Sequence, residues 1–359
     1  MKLIHTIVIS AFASSLMMPV LALSKQYVCP PCYHDEHTYK TKIYKHDGVC
    51  EICQMNLIES PPILANNKIE LHEGSGNFYF FLDRLTGGKP IQIFYHKPTT
   101  FSSETQFLMV FTGTDRNAWD YRDDWIEISE EFDVLIVSPS YPVQEYGFND
   151  YHLINMTTDI SYNLKSKEFE KNKIHVDEES IEFSTINHKN KWLINDFDQI
   201  FKQLRINLGL KQIKYDVFGH SAGAQIIHRW AMFYDSKYVN HMVAANAGIY
   251  TLINESIFYP IGLKGVDHYF NPKVALSQKL LLMVGSLDNE TETQGTMLHT
   301  KTLDLMGKGR LERAQSFIAH VNKYSQKNDI KNNWQLKIVS NVGHNHSLMA
   351  EQAANYLYR

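Results

Sequence analysis

From about residue 70 to the C-terminus, short apolar runs rich in β-branched and aromatic residues alternate with stretches in which apolar positions recur every three or four residues. The runs are GNFYFFL, PIQIFYH, QFLMVFTG, DVLIVSPSY, YDVFGHS, HMVAANAG, KLLLMVGSLD and QLKIVSNVGH. From the third onward they are continuously apolar, as expected of strands covered on both faces. Helical periodicity lies between them in DWIEISEEF, NDFDQIFKQLRINLGL, AQIIHRWAMFYD and RLERAQSFIAHVNKYSQ. Strands and helices taking turns predict an α/β fold built on an eight-stranded, mostly parallel, doubly wound sheet. In such a sheet the reactive groups gather at the carboxyl ends of the strands.

The first 69 residues do not follow this pattern. MKLIHTIVISAFASSLMMPVLALS has a lysine, an apolar stretch and small residues at Ala22 and Ser24, the layout of a secretory signal peptide spanning residues 1–24. Read instead as a membrane anchor, the segment is of borderline length and is bounded by Pro19 and Lys25. No other segment is long and apolar enough to span a bilayer. Export to the periplasm or the exterior, with no stable membrane span after cleavage, is the expectation.

Residues 25–60 hold all four cysteines, as the CxxC pairs Cys29/Cys32 and Cys50/Cys53 with 17 residues between the pairs. That spacing matches a four-thiolate zinc site, in which two knuckles present four sulfurs tetrahedrally. In an oxidising compartment the same thiols can pair as two disulfides, and the sequence leaves both readings open. A module this short buries too little apolar surface to fold unaided, so a staple of one kind or the other is expected. His34, His37 and His46 read as solvated loop residues. Residues 61–69, opening with Pro61 and Pro62, read as a linker to a large domain over residues 70–359.

Composition changes this picture little. With 44% hydrophobic residues, 21% charged residues and a net charge of −4, the chain is an ordinary globular protein, and a nucleic-acid partner is not expected.

The strand ends carry the chemistry. GHSAG, at the end of the fifth run, fits G-x-S-x-G, in which the glycines permit a sharp strand-to-helix turn that exposes the serine hydroxyl. Ser221 is therefore the candidate nucleophile, and it needs an imidazole to take its proton. Of the 17 histidines, His344 follows the last strand run directly and is the preferred base. His346 is its rival, with a hydrogen-bonded loop residue as the ordinary reading; His220 and His228 read as turn or helix-surface positions. Asp288, at the end of the seventh run, is the candidate acid that orients the base, while Glu290 and Glu292 read as solvated surface. Ser221, Asp288 and His344 stand in the chain order Ser…Asp…His of the α/β-hydrolase arrangement. Backbone N–H groups of Ala222 and Thr114 are the candidate oxyanion donors, the latter on the loop that Gly113 opens after the third run.

Two resemblances add to these readings. YVCPPC and DGVCEICQMNLI resemble the short heavy-metal-binding domain found beside bacterial metal-transport proteins, without its Cys-Pro-Met-His opening and with Gln54 where glycine is common. TGTDRNAWDYRDDW, YDVFGHSAGAQIIHRW, AANAGIYTL, GSLDNE and NVGHNHSL are similar to the α/β-hydrolase superfamily. Within it they resemble exported bacterial esterases of the polyhydroxyalkanoate-depolymerase and feruloyl-esterase kind. Thr112 stands where such enzymes usually carry histidine. The likeness implies a Ser221–His344–Asp288 triad and an ester or related acyl substrate. A small or polymeric ester cleaved through an acyl-enzyme with no cofactor for catalysis is the expectation, and a structural zinc in the cysteine module is one of the two readings left open there. The alternative is a metal-binding or metal-delivery protein whose hydrolase-like domain is an inactive scaffold. The aromatic segment with Tyr250, Phe258 and Tyr259 reads as core packing or as part of a substrate pocket, and the polar segment 163–183 as a surface excursion or a lid.

Overall fold

The computed structural model describes residues 26–28, 44–51, 54–60, 69–81, 90–165, 172–185 and 189–359. The signal-peptide segment, Cys29, Cys32 and Cys53 lie outside the described residues; Cys50 is buried. A short strand, Gln26–Val28, pairs antiparallel with Ile58–Ser60 in this N-terminal part.

All eight apolar runs form strands of one sheet. These are β1 (Gly74–Phe81), β2 (Pro90–Lys97), β3 (Gln106–Phe111), β4 (Val134–Pro139), β5 (Tyr215–His220), β6 (Val239–Ala245), β7 (Leu280–Gly285) and β8 (Gln335–Val339). Their spatial order is β1-β2-β4-β3-β5-β6-β7-β8. Pairing is antiparallel at β1/β2 and β2/β4 and parallel everywhere else in the sheet. The eight-stranded, mostly parallel sheet expected from the pattern is thus present.

Alternate residues of the central strands feed two separate cores. Phe107, Met109 and Phe111 of β3 join one cluster with Phe197, Phe201 and Leu204 of α3 (Ile194–Leu208), Ile226 and Trp230 of α4 (Ala222–Phe233), and Phe317 of α5 (Arg310–Lys327). Leu108 and Val110 join the other with Tyr121 of α1 (Ala118–Asp123), with Trp125 at the N-cap of α2 (Ile126–Phe132), and with Met349, Ala350 and Ala353 of α6 (His346–Leu357). Two helical layers therefore cover both faces, which explains why these strands read as unbroken apolar runs. The helix α6 was not apparent in the sequence pattern. Its cap is Asn345, whose side chain accepts from Leu348 N–H, and its packed face is alanine-rich, a weak periodic signal.

Of the segment 163–183, residues 166–171 lie outside the described residues, and parts of the rest are held in strand pairs. Lys173–His175 pairs in parallel with Met297–His299, and Glu182–Thr185 pairs with Thr157–Ser161. Tyr250 and Tyr259 are fully buried in the main core, whereas Phe258 is exposed beneath the Lys264 ammonium.

Candidate active site

β5 runs out of the sheet into α4 through Ser221, whose backbone takes φ 56° and ψ −111°. A non-glycine residue in that region is strained and persists only where its surroundings over-determine it. Here the surroundings are tight. A Cβ at Gly219 would lie 2.5 Å from the backbone of Gly223, and one at Gly223 would lie 2.3 Å from the carbonyl oxygen of Phe111. The strand, the turn and the helix can close on one another only with hydrogen at both positions. Ser221 N–H donates to the carbonyl of Ala245 at 2.9 Å, anchoring the turn to the end of β6.

Two other strand ends meet the serine. His344 Nε2 lies 3.1 Å from Ser221 Oγ, and His344 Nδ1 lies 2.8 Å from Asp288 Oδ2. An ionised carboxylate can only accept, so Nδ1–H donates to Asp288 and Nε2 is left to accept the serine hydroxyl proton. Asp288 is fully buried, and His344 and Ser221 are each 8% exposed. Burial and then the nearby Arg310 guanidinium hold the His344 imidazole well below its usual range, against the raising effect of Glu292. Burial pushes the Asp288 carboxyl up while Arg310 pulls it back.

The neighbouring histidines have other tasks. Asn246 Oδ1 accepts the Gly285 N–H, which orients its amide so that Nδ2 donates to His220 Nε2 at 3.3 Å. His220 Nδ1–H is then left to donate to Tyr121 Oη at 2.9 Å. Both ring nitrogens are engaged, and burial first, then His344, keeps this imidazole neutral. His228 is not on a helix surface: it is fully buried, because every residue of α4 is covered, and it bonds the Ala224 carbonyl and the Thr251 N–H. His346 does not reach Ser221. It opens α6, stacks on Tyr121 at 4.3 Å and pairs with Asp124 at 2.5 Å. Burial opposes its protonation, but the Asp124 hydrogen bond, with Asp120 and Asp115, raises it above the usual imidazole range.

The loop after β3 forms the facing wall. Gly113 packs between Tyr121 and the Ser221 side chain, and Thr114 follows it into the cleft. Ala222 is the first residue of α4, so its N–H has no acceptor within the helix. Thr112 points away: its hydroxyl meets Tyr151 Oη at 3.0 Å, and Tyr151 donates to the Thr112 carbonyl. Arg116, on the same loop, is buried with its guanidinium 3.6 Å over the Tyr151 ring.

Three contributors were missed in the sequence. Glu292 is not simply solvated: Oε2 accepts the His344 backbone N–H at 2.9 Å, and Oε1 accepts those of Thr293 and Gln294. Asn246 also donates to the Gly343 carbonyl, tying β6 to the histidine loop. Arg310 pairs with Asp288 at 2.9 Å, both side chains being buried. Glu292 and Arg310 lie outside the quoted motifs, and Asn246, though within AANAGIYTL, has no partner that the sequence names; only proximity in space marks their roles.

Ser221 and His344 open into a cleft of about 220 Å³ lined also by Thr114, Asn117, Gln294 and Thr296. Poly(aspartic acid) hydrolase-1 from Sphingomonas sp. KT-1 superposes on this chain with a TM-score of 0.68 at 26% identity, over 80% of this chain and 100% of that one. LpqC, a poly(3-hydroxybutyrate) depolymerase from Bordetella parapertussis, superposes with a TM-score of 0.66 at 22% identity, over 80% of this chain and 90% of its own. The fold is that of the α/β hydrolases. No protein-family model and no curated protein sequence matches the chain. The α/β-hydrolase sheet accounts for the convergence seen here, since it brings the ends of β5, β7 and β8 to one rim. No helix among the described residues is long and apolar enough to cross a membrane.

Proposed function

We propose that this chain is a serine hydrolase that cleaves a carboxylic ester or related acyl substrate through an acyl-enzyme. The observation that carries the reading is the continuous line Ser221 Oγ, His344, Asp288, with separations of 3.1 Å and 2.8 Å, opening into a cleft. Ser221 Oγ attacks the acyl carbon as its proton passes to His344 Nε2, and Asp288 stabilises the imidazolium. The N–H groups of Ala222 and Thr114 receive the oxyanion. Collapse of the tetrahedral intermediate expels the leaving group, which takes the proton from Nε2. Water, activated by the same imidazole, then attacks the acyl-enzyme and restores Ser221. No step calls for a cofactor. Likeness to a poly(aspartic acid) hydrolase supports a polymeric acyl chain as a candidate substrate beside small esters.

In the same reading residues 1–24 direct export to the periplasm or beyond, residues 25–60 form a cysteine module that binds zinc or carries disulfides, and residues 61–69 link it to the catalytic domain over 70–359. A fluorophosphonate probe is expected to label the wild-type protein, and Ser221→Ala to abolish both labelling and hydrolysis of a p-nitrophenyl ester. A wild-type protein that resists the probe and hydrolyses no short ester overturns the proposal.

A further inference from the structure

Arg310 opens α5, and its side chain is almost completely buried. Nη1 donates to Asp288 Oδ1 at 2.9 Å, while His344 takes the other carboxylate oxygen. The same guanidinium donates to the carbonyls of Thr296 at 3.1 Å and Gln294 at 3.5 Å, two residues of the cleft wall. Between them Gly295 lies against the base: a Cβ there would sit 2.6 Å from His344 Nε2 and 3.0 Å from Arg310 Nη2. The start of the helix is held in place as well, with Leu311 N–H donating to the Asp288 carbonyl at 2.9 Å.

We propose that Arg310 is a positioning residue of the triad: it shares the Asp288 carboxylate with His344 and ties the 294–296 wall of the cleft to that carboxylate. The inference rests on the triad reading above. A buried cation on the acid partly satisfies the negative charge that would otherwise stabilise the imidazolium, so the base stays neutral to lower pH. The other groups facing His344 are Glu292, which favours protonation, and His346, which opposes it; the neutral His220 ring lies 4.5 Å away. Asp288 faces Arg310 and His344, with Tyr250 and Glu292 near it. Lysine at position 310 would keep the charge but not the planar fork that reaches carboxylate and carbonyls together.

The test is the pH dependence of kcat/KM on an uncharged p-nitrophenyl ester, with active sites counted by fluorophosphonate titration so that misfolded chains drop out. The wild-type acid limb is expected below the ordinary imidazole value of 6.5. Arg310→Met is expected to move it upward by about half a unit or more. Arg310→Lys is expected to keep the wild-type limb and raise KM about threefold or more as the wall loosens. Coincident limbs in wild type and Arg310→Met, or a wild-type limb at or above 6.5, overturn the inference while leaving the hydrolase reading intact. Where Arg310→Met yields no titratable sites, the lysine variant decides, and an unchanged KM overturns the inference. A wild-type protein that takes no label overturns both readings.

Discussion

At the scale of single residues, the site is a set of hydrogen bonds whose directions are forced. Asp288 can only accept, which fixes the His344 tautomer; Asn246 has its amide oriented by Gly285, which fixes the His220 tautomer. Two imidazoles lie 4.5 Å apart, yet only one has a nitrogen free for Ser221. Glu292 belongs to the same set, because it holds the His344 backbone rather than its ring. Glu292→Ala removes that anchor without opening the core, since the side chain is only partly buried. It is expected to lower kcat/KM about tenfold or more, because small misplacement of a base is costly, with little change in Tm. Steady-state kinetics beside a melting curve checks this.

At the scale of elements, the contact between β3, β5 and α4 sets the position of Ser221. Gly223 sits on the first turn of α4 against the Phe111 carbonyl, so the helix approaches the sheet more closely than any side chain permits. Gly223→Ala is expected to cost about 1–3 kcal/mol or more and to disturb the elbow. Chemical denaturation together with fluorophosphonate labelling measures both effects. The helix α4 is buried over its whole length, and two of its polar members bond inside the fold: Arg229 Nη1 donates to the His152 carbonyl at 2.7 Å, and His228 uses both ring nitrogens. AQIIHRWAMF gives no hint of such coverage, because a histidine and an arginine in a helix ordinarily read as its wet side.

At the scale of the whole molecule, three imidazoles besides His344 are stored neutral among the described residues. His152, His220 and His228 are each held well below 6.5 by burial first; Arg116 and Arg229 add to it at His152, Arg229 at His228, and His344, His346 and Arg310 at His220. In the unfolded chain they take up protons near their ordinary value, so below about pH 6.5 the unfolded state binds more protons than the native one. Stability is therefore expected to be fully present above that pH and to fall progressively as the pH drops beneath it. Melting temperatures at pH 8 and at about pH 5 give the sign directly. Weakening on acidification supports neutral storage; strengthening contradicts it.

The apolar runs determined the sheet. Strands covered on both faces need continuous apolar sequence, and all eight runs took their places in it. GHSAG, with an apolar run before it and a helical pattern after, marked the turn on which Ser221 sits, because only glycine tolerates that closeness of strand and helix. Asp288 and His344 were legible by their places at strand ends. The tertiary structure alone decided what holds them: Arg310 on Asp288, Glu292 on the His344 backbone, and Asn246 between His220 and Gly343. It also decided that Thr112 turns toward Tyr151 and that Lys173–His175 and Glu182–Thr185 are bound into secondary strand pairs. Periodicity records which face of an element is buried, whereas these contacts join side chains and backbone from elements far apart in the chain. Their partners are chosen only when the sheet has assembled.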